Sequence, residues 1–469
     1  MNILDGINSE IGNLFTVSPL DGRYSAITNK ILPFYSNPVY YVTRIQVELA
    51  YLKVLLNKNH VEYETPIIDY NDYNTVSTIY TQCIEIEKTT NHDIKAIEYY
   101  LRTIIPEEYH CYIHCGLTSQ DVNSIAQTIM LKNACNCISE EYKKFVISVE
   151  SLLERLRGIP VMTYTHGQPA VSTYFDIEIK KRLIKIQKSF DELLNRCNDL
   201  TCKFSGSIGN FTTHSLIFKE EEIDSLYDFL NKELTFGKKS SGGIDYNLKF
   251  NKFAFQVDDY NSYAQFFTQF GVFFANMKDF AYNLWLRLFS KELIETSVKG
   301  EIGSSVMPHK INPVGIEMAM NGVADLAISQ CFTTASSLLV TAHSRDISDI
   351  FKMRFSGEIF GMALVMMQYI SNDVKKIVPN SEQINKILNE NIGSLSEMIQ
   401  TRLRIENIGI DAYKVLESLT KGKSITYEQL HEFIDELEEK YGLSNDLVTE
   451  LKSYRIDKPF GFFAHYKMQ

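Results

Sequence analysis

Between Gly300 and Pro313 the chain reads Gly-Glu-Ile-Gly-Ser-Ser-Val-Met-Pro-His-Lys-Ile-Asn-Pro. A pair of hydroxyls, Ser304 and Ser305, stands a few residues ahead of an ammonium, Lys310, and an amide, Asn312. Lys310 and Asn312 supply hydrogen-bond donors suited to a carboxylate. A serine hydroxyl becomes a base only where a cation, backbone N–H groups and exclusion of water stabilise its alkoxide. Gly300, Gly303, Pro308 and Pro313 exclude a regular helix or a central strand, so the segment is expected to be a loop, free to close over a substrate.

Other strings carry chemistry at a distance from this loop. Lys88-Thr89-Thr90-Asn91-His92-Asp93 precedes a helical stripe at Ile94, Ile97, Leu101 and Ile104. Thr90 with Asp93 reads as a capping box, which puts His92 in a first helical turn, where free N–H groups suit an anion such as phosphate. Thr118-Ser119-Gln120-Asp121 repeats the cap signature. Thr163 to Ala170 is expected to be a turn between helices, with His166 flanked by hydroxyls and an amide that would orient its ring for acid–base work. Asp21-Gly22-Arg23-Tyr24 is turn chemistry, and Ser344 to Asp349 with Arg354 forms a polar patch. Gly422-Lys423-Ser424 is not a phosphate-binding loop, because Glu417 stands where that motif needs glycine.

Long helices are expected to position these groups. Tyr41, Ile45, Leu49, Leu52 and Leu55 space as one helix face, and Ile138, Tyr142, Phe145, Val149, Leu152 and Leu156 as another, ending near Gly158. Tyr263, Phe267, Phe270, Phe274, Met277, Ala281, Leu284 and Leu288 step by four and three. Phe266, Phe273 and Phe280 widen that stripe beyond a two-helix seam. A helix from about Asp259 to Val298 would run on the order of 60 Å, and a face too wide for one chain to bury would be completed by other subunits in a bundle core. Beyond Pro379 the pattern becomes shorter amphipathic helices.

Bulk properties bound the partners. The chain has 469 residues, 45% of them hydrophobic, and a formal net charge of −11, so a general nucleic-acid binder, which would be basic, is not expected. Eight cysteines lie scattered without paired spacing, which fits reduced thiols and no zinc. No apolar run approaches the ~20 residues of a membrane span, and the N-terminus lacks a basic region followed by an apolar core. A cytoplasmic protein with no membrane partner is expected.

Taken in order, DGRY at 21–24, TTNHD at 89–93, LTSQD at 117–121, THGQPA at 165–170, GEIGSSVMPHKINP at 300–313 and SRD at 344–346 resemble the adenylosuccinate lyase family of the fumarase/aspartase superfamily. The resemblance implies an all-α fold of three domains, here 1–112, 113–374 and 375–469. It also implies a homotetramer around a twenty-helix core, with active sites shared between subunits and no cofactor or metal. The reactions implied are fumarate elimination from adenylosuccinate, giving AMP, and from succinyl-aminoimidazole-carboxamide ribotide, giving the free carboxamide. By resemblance Ser304 is the base and His166 the acid, though spacing alone leaves Ser305 as an alternative base. His92 and Lys310 join the catalytic set. Asn312, Thr118 and Ser119 would hold the succinyl carboxylates, and Ser305 would contact the substrate. Arg23, Tyr24, His92 and Arg345 would face the ribose phosphate, with Asn91, Asp93, Gln168, Gln256 and Arg354 completing the pocket. Some relatives carry a contacting Asn where this chain has Met318; either Asn321 substitutes or the contact is missing. The rival readings are a sister enzyme, such as argininosuccinate lyase or a fumarase, and a structural homologue that has lost activity.

Overall fold

The computed structural model describes residues 16–70, 72–235, 238, 242–300 and 302–462. Residues 1–15 and Glu301 of the 300–313 string lie outside them. After the single turn α1 (Ser25–Thr28), α2 (Asn37–Lys58) starts from an extended Ser36 with Pro38 in its first turn. Proline fits there because its missing N–H has no helical partner to lose. Next come α3 (Tyr73–Thr90), α4 (Asp93–Ile104) and α5 (Ser119–Leu156). The antiparallel strands β1 (Pro160–Thr165) and β2 (Gln168–Tyr174) lead to α6 (Phe175–Asn198), β3 (Thr201–Lys203), α7 (Ile223–Thr235) and β4 (Lys249–Asn251), which pairs parallel with β3. Then follow α8 (Asn261–Phe289), β5 (Leu293–Glu295), α9 (Val314–Glu317), a π-helical turn at Met318–Gly322, α10 (Val323–Leu338), α11 (Ser348–Phe355), α12 (Gly357–Lys376) and β6 (Ile377–Pro379), which pairs with β5. The chain closes with α13 (Ser381–Glu390), α14 (Ser396–Ile405), α15 (Ala412–Thr420), α16 (Tyr427–Tyr441) and α17 (Asn445–Ser453). The architecture is all-α, and the paired strands are short.

The chain forms two compact units. The first takes Met1–Phe145, Ile186–Lys278 and Met318–Tyr369. Its core joins Tyr41, Ile45, Leu49 and Leu52 of α2 to Ile79 and Cys83 of α3, Ile94, Ile97 and Leu101 of α4, and Leu226 and Leu230 of α7. Within the same unit Tyr142 stacks on Phe190, and Phe266, Phe270 and Phe360 meet ring to ring. The second unit takes Val146–Lys185, Asp279–Glu317 and Ile370–Gln469. Its terminal helices α13, α15, α16 and α17 are capped in sequence: Asn380, Asp411, Thr426 and Ser444 each accept a first-turn amide, and Gly442 ends α16 in the left-handed region. These caps satisfy N–H groups that the helix leaves without partners.

The structure departs from the sequence reading in four places. The aromatic helix ends at Phe289, short of Val298, because Lys291 turns left-handed (φ 61°) and β5 pairs with β6 directly afterwards. Buried Glu292 fixes this exit by accepting from Arg287 at 2.8 Å and from the Ser290 hydroxyl at 2.6 Å. Secondly, the aromatic stripe does not exceed what one chain can bury: Tyr263, Phe266, Phe267, Phe270, Phe273, Phe274, Met277 and Phe280 are all 0% exposed. Neighbouring helices of the same chain, including α12, already cover them. Thirdly, the expected Thr90 capping box is absent, because Asn91 ends α3 in the left-handed region (φ 49°) and leaves His92 as the N-cap of α4. Finally, Thr163–Ala170 is the end of a β-hairpin, not a link between helices.

A buried ion pair ties the first unit together. Asp121 and Lys203 are both fully buried, with Lys203 Nζ 2.7 Å from Asp121 Oδ1. The same oxygen accepts the amides of Ser205 (2.9 Å) and Gly206 (3.1 Å), while Oδ2 accepts the Thr118 amide at 2.9 Å. Burial pushes the Lys203 ammonium below its ordinary pKa, against the pull of Asp121. Breaking one side of such a pair strands a charge in the core. Lys203→Met is therefore expected to destabilise the protein by about 3–5 kcal/mol, and Lys203→Met with Asp121→Asn by less than the sum of the single changes. Urea unfolding of the three variants measures both.

Candidate active site

Part of the expected pocket assembles at the N-terminus of α5. Arg345 donates from Nη1 to Gln256 Oε1 at 3.2 Å and to the Ser119 hydroxyl at 3.4 Å. Gln256 is held in place by its own amide, which donates to the Ser344 carbonyl at 3.2 Å. Thr118, beside Ser119, is fixed by Asp121. The turn carrying Arg345 is braced by Asp346, whose carboxylate accepts the Ala342 and Ser348 amides at 2.8 Å each. Hydrogen bonds from Ser348 and from those amides pull the Asp346 carboxyl down to about 2. The result is a guanidinium beside two hydroxyl residues at a helix start, an arrangement that suits an anion.

A second group forms at the start of α4. Asp93 Oδ2 accepts from Arg44 Nη1 at 2.7 Å and from Arg354 Nη2 at 3.3 Å. Arg44 is completely buried and lies over the rings of Tyr40 and Tyr41, at 4.0 and 4.4 Å from their centroids. Burial works to raise the Asp93 carboxyl, but Arg44, the Ile94 amide and Arg354 together outweigh it and the net shift is downward. Asp93 is thus a fixed carboxylate. His92 is exposed and accepts the Lys95 amide on Nδ1 at 3.3 Å, so its ring is fixed by its capping role. Arg354 also lines a cavity of about 450 Å³ with Tyr35, Tyr40, Tyr80 and Gln127.

Arg23 and Asn91 are exposed, and their side chains make no hydrogen bond or ion pair among the described residues. Tyr24 packs edge-on against Tyr369 at 6.0 Å.

The second unit holds the hairpin and the 300–313 loop. His166 and Gly167 make the two-residue hairpin turn, both left-handed (φ 54° and 73°), the turn whose twist suits paired strands. His166 and Gln168 are exposed there. The expected orientation of the ring by its neighbours is not found: Thr163 donates to the Val171 carbonyl at the base of the hairpin, and no flanking side chain bonds His166. A residue at the tip stands outside the ladder that fixes its neighbours.

The loop is irregular, as its glycines and prolines require. Its limbs touch: a Cβ on Gly303 would lie 2.3 Å from the Lys310 carbonyl oxygen. Met307 to Lys310 is a turn closed by the Lys310 amide donating to Met307 O at 3.0 Å, with Pro308 in the position proline prefers. Ser304 Oγ accepts the Met307 amide at 3.0 Å and the Val306 amide at 3.4 Å. Ser305 and Lys310 are exposed, and with Asn312 their side chains make no hydrogen bond or ion pair among the described residues. No hydrogen bond among those residues joins His166 to Ser304. Met318 and the exposed Asn321 lie in the π-helical turn that follows, an irregularity often found near functional sites.

Sequence reasoning missed Arg44, Lys203, Asp349 and Tyr260 as supports of these groups. Arg44 had a signal: it lies three and four residues after Tyr41 and Tyr40, so one helix face carries a cation among apolar positions.

The profile of the family described as Lyase matches residues 22–328, and that described as Adenylosuccinate lyase C-terminal matches 342–456. A protein named adenylosuccinate lyase from Dictyostelium discoideum is 30% identical, over 97% of this chain and 98% of its own. The chain belongs to the adenylosuccinate lyase family. The Escherichia coli K12 protein of that name is 29% identical over 91% of this chain and 93% of its own. Among solved structures, a fumarate lyase from Mesorhizobium sp. BNC1 superposes with a TM-score of 0.65 at 15% identity, covering 91% of this chain and 93% of that one. The β-carboxy-cis,cis-muconate cycloisomerase of Acinetobacter calcoaceticus sp. ADP1 gives 0.63, also at 15% identity, covering 91% and 94%. Both share the fumarase/aspartase-type fold that the sequence motifs imply.

Gly303→Ala tests how closely the family loop must be packed. The added methyl has to displace backbone, so the global fold should survive while the loop shifts. Turnover is expected to fall by roughly 10²-fold, the scale of a misplacement of about 1 Å. Circular dichroism melting beside steady-state kinetics checks this.

Proposed function

We propose that the protein eliminates fumarate from adenylosuccinate, releasing AMP, and from succinyl-aminoimidazole-carboxamide ribotide, releasing the carboxamide. Likeness to relatives named adenylosuccinate lyase over nearly the whole chain supports the reaction. The observation that carries the mechanism is the pair of backbone amides on Ser304 Oγ. Amides aimed at a hydroxyl oxygen stabilise it when it becomes an alkoxide, and neither is seen on Ser305.

In this mechanism Ser304 removes the proton from the carbon beside a succinyl carboxylate. The electron pair left behind expels the nitrogen, and His166 protonates that nitrogen as the C–N bond breaks. Lys310 and Asn312 hold the carboxylate that gathers charge, with Thr118, Ser119 and Ser305 on the other succinyl oxygens. Arg23, Tyr24, His92 and Arg345 receive the ribose phosphate, and Asn91, Asp93, Gln168, Gln256 and Arg354 complete the pocket. Asp93, held between two arginines, acts as an acceptor.

The working form is a homotetramer with shared sites, acting in the cytoplasm without a cofactor. Val272, Tyr282, Leu286 and Phe289 on α8 and Leu326 on α10 are exposed in a single chain, and apolar exposure on long helices suits subunit contacts. Among the described residues no helix is long and apolar enough to cross a membrane, and all eight cysteines are free thiols.

Light scattering is expected to show a tetramer; a stable, active monomer would overturn the shared-site reading. Ser304→Ala should fold normally and lose turnover by about 10²–10⁴-fold, the contribution of a positioned acid or base, while substrate affinity persists. His166→Ala should match it, and the double variant should be scarcely worse than either, because the two act as a unit. Ser305→Ala should act more on binding than on turnover. Turnover and equilibrium binding measured separately decide the matter. A dead Ser305→Ala beside an active Ser304→Ala reverses the assignment. A folded wild type inert on both substrates would favour the structural homologue.

A further inference from the structure

Asp349, on α11, is buried beneath Arg345. Its Oδ2 accepts from Gln120 Nε2 and from the Tyr260 hydroxyl, the latter at 3.0 Å. Gln120 and Tyr260 are themselves almost wholly buried, and they touch each other through a 3.4 Å hydrogen bond. The other carboxylate oxygen, Oδ1, has no hydrogen bond and faces Arg345 Nε at 3.7 Å, and that nitrogen is likewise buried without a hydrogen bond. An N–H···O bond forms at about 2.7–3.2 Å, so a small movement of the guanidinium closes this contact. Nη1 is already engaged with Ser119 and Gln256. The remaining nitrogen, Nη2, makes no hydrogen bond among the described residues and offers its donors to a ligand.

We propose that Asp349 is the positioning residue of Arg345: held by Gln120 and Tyr260, it sets the guanidinium so that its free edge meets the ligand's phosphate. The inference rests on the proposed role of Arg345 as a phosphate contact. Its physical basis is entropy as well as charge. A long arginine side chain loses rotamer freedom when it binds an anion, and a buried carboxylate at Nε removes part of that freedom beforehand. Tyr260 serves as a permanent donor, because burial, reinforced by Asp349, pushes its hydroxyl far above the ordinary tyrosine range.

The test compares inhibition by AMP with inhibition by adenosine, which differ by the phosphate alone. Wild type is expected to prefer AMP. Asp349→Asn should weaken that preference by about tenfold, the scale of one charged hydrogen bond, and raise KM for adenylosuccinate while kcat changes by a smaller factor. Arg345→Gln should show the same loss, and Asp349→Asn added to it should cost nothing further, because the carboxylate acts through the guanidinium. Tyr260→Phe, which keeps the ring, should shift the preference in the same direction by less. A merely structural role would lower the melting temperature and leave the AMP-to-adenosine ratio alone. That result in folded Asp349→Asn and Tyr260→Phe, or independent addition of the Asp349 and Arg345 effects, would overturn the inference while leaving the phosphate role of Arg345 standing. An active wild type in which Arg345→Gln keeps its full preference for AMP would overturn the phosphate role and the inference together.

Discussion

The carboxylate of Asp121 is the constraint from which the arrangement at the start of α5 follows. It collects an ammonium and three backbone amides in a place without solvent. A buried charge is tolerated only when it is neutralised and fully hydrogen-bonded, so the chain has to bring residues 203–206 to the start of α5. Once it has, the Thr118 amide is tethered and Ser119 begins the helix in one defined position. The pairing therefore specifies where the helix starts more than it adds stability, since well-packed apolar replacements of buried ion pairs are often no worse.

A second division runs between groups that are held and groups that are free. Asp93, Arg44, Gln256 and Arg345 are engaged with protein partners. His166, Ser305, Lys310 and Asn312 lie on a hairpin tip and a loop without such partners among the described residues. Ser304 belongs to both classes, since its oxygen accepts two loop amides while the loop itself is irregular. A base that must hold negative charge briefly benefits from amides already in place, because no reorganisation is then needed during the reaction.

Much of the fold was legible because helices write their packing into a short period. The stripes on α2, α5 and α8 specified buried faces from residue spacing alone, and glycine with proline specified the 300–313 loop. The hairpin was not legible: its turn is His166-Gly167, without the Asn-Gly or Asp-Gly signature of such turns, and only Val161 and Met162 are deeply buried in its first strand. Local spacing also misjudged the start of α4, where the left-handed Asn91 decides which residue caps the helix. The supports of the site were invisible for a different reason. Gln120 and Asp349 are 229 positions apart, and Asp121 and Lys203 are 82. No sequence period reports a contact of that kind, so the residues proposed to meet the substrate could be named by resemblance while those beneath them could not.

The aromatic face of α8 has a consequence for the order in which the protein matures. Its rings are shielded from water within one chain, so a newly made polypeptide already carries the residues that cover them. Contacts between copies would then be added to a finished interior, as a step that depends on concentration, after one that does not. An aromatic rod left bare until assembly would expose its stickiest surface during synthesis, when wrong encounters are commonest. Covering that rod with residues of its own chain removes the need for a second copy to shield it.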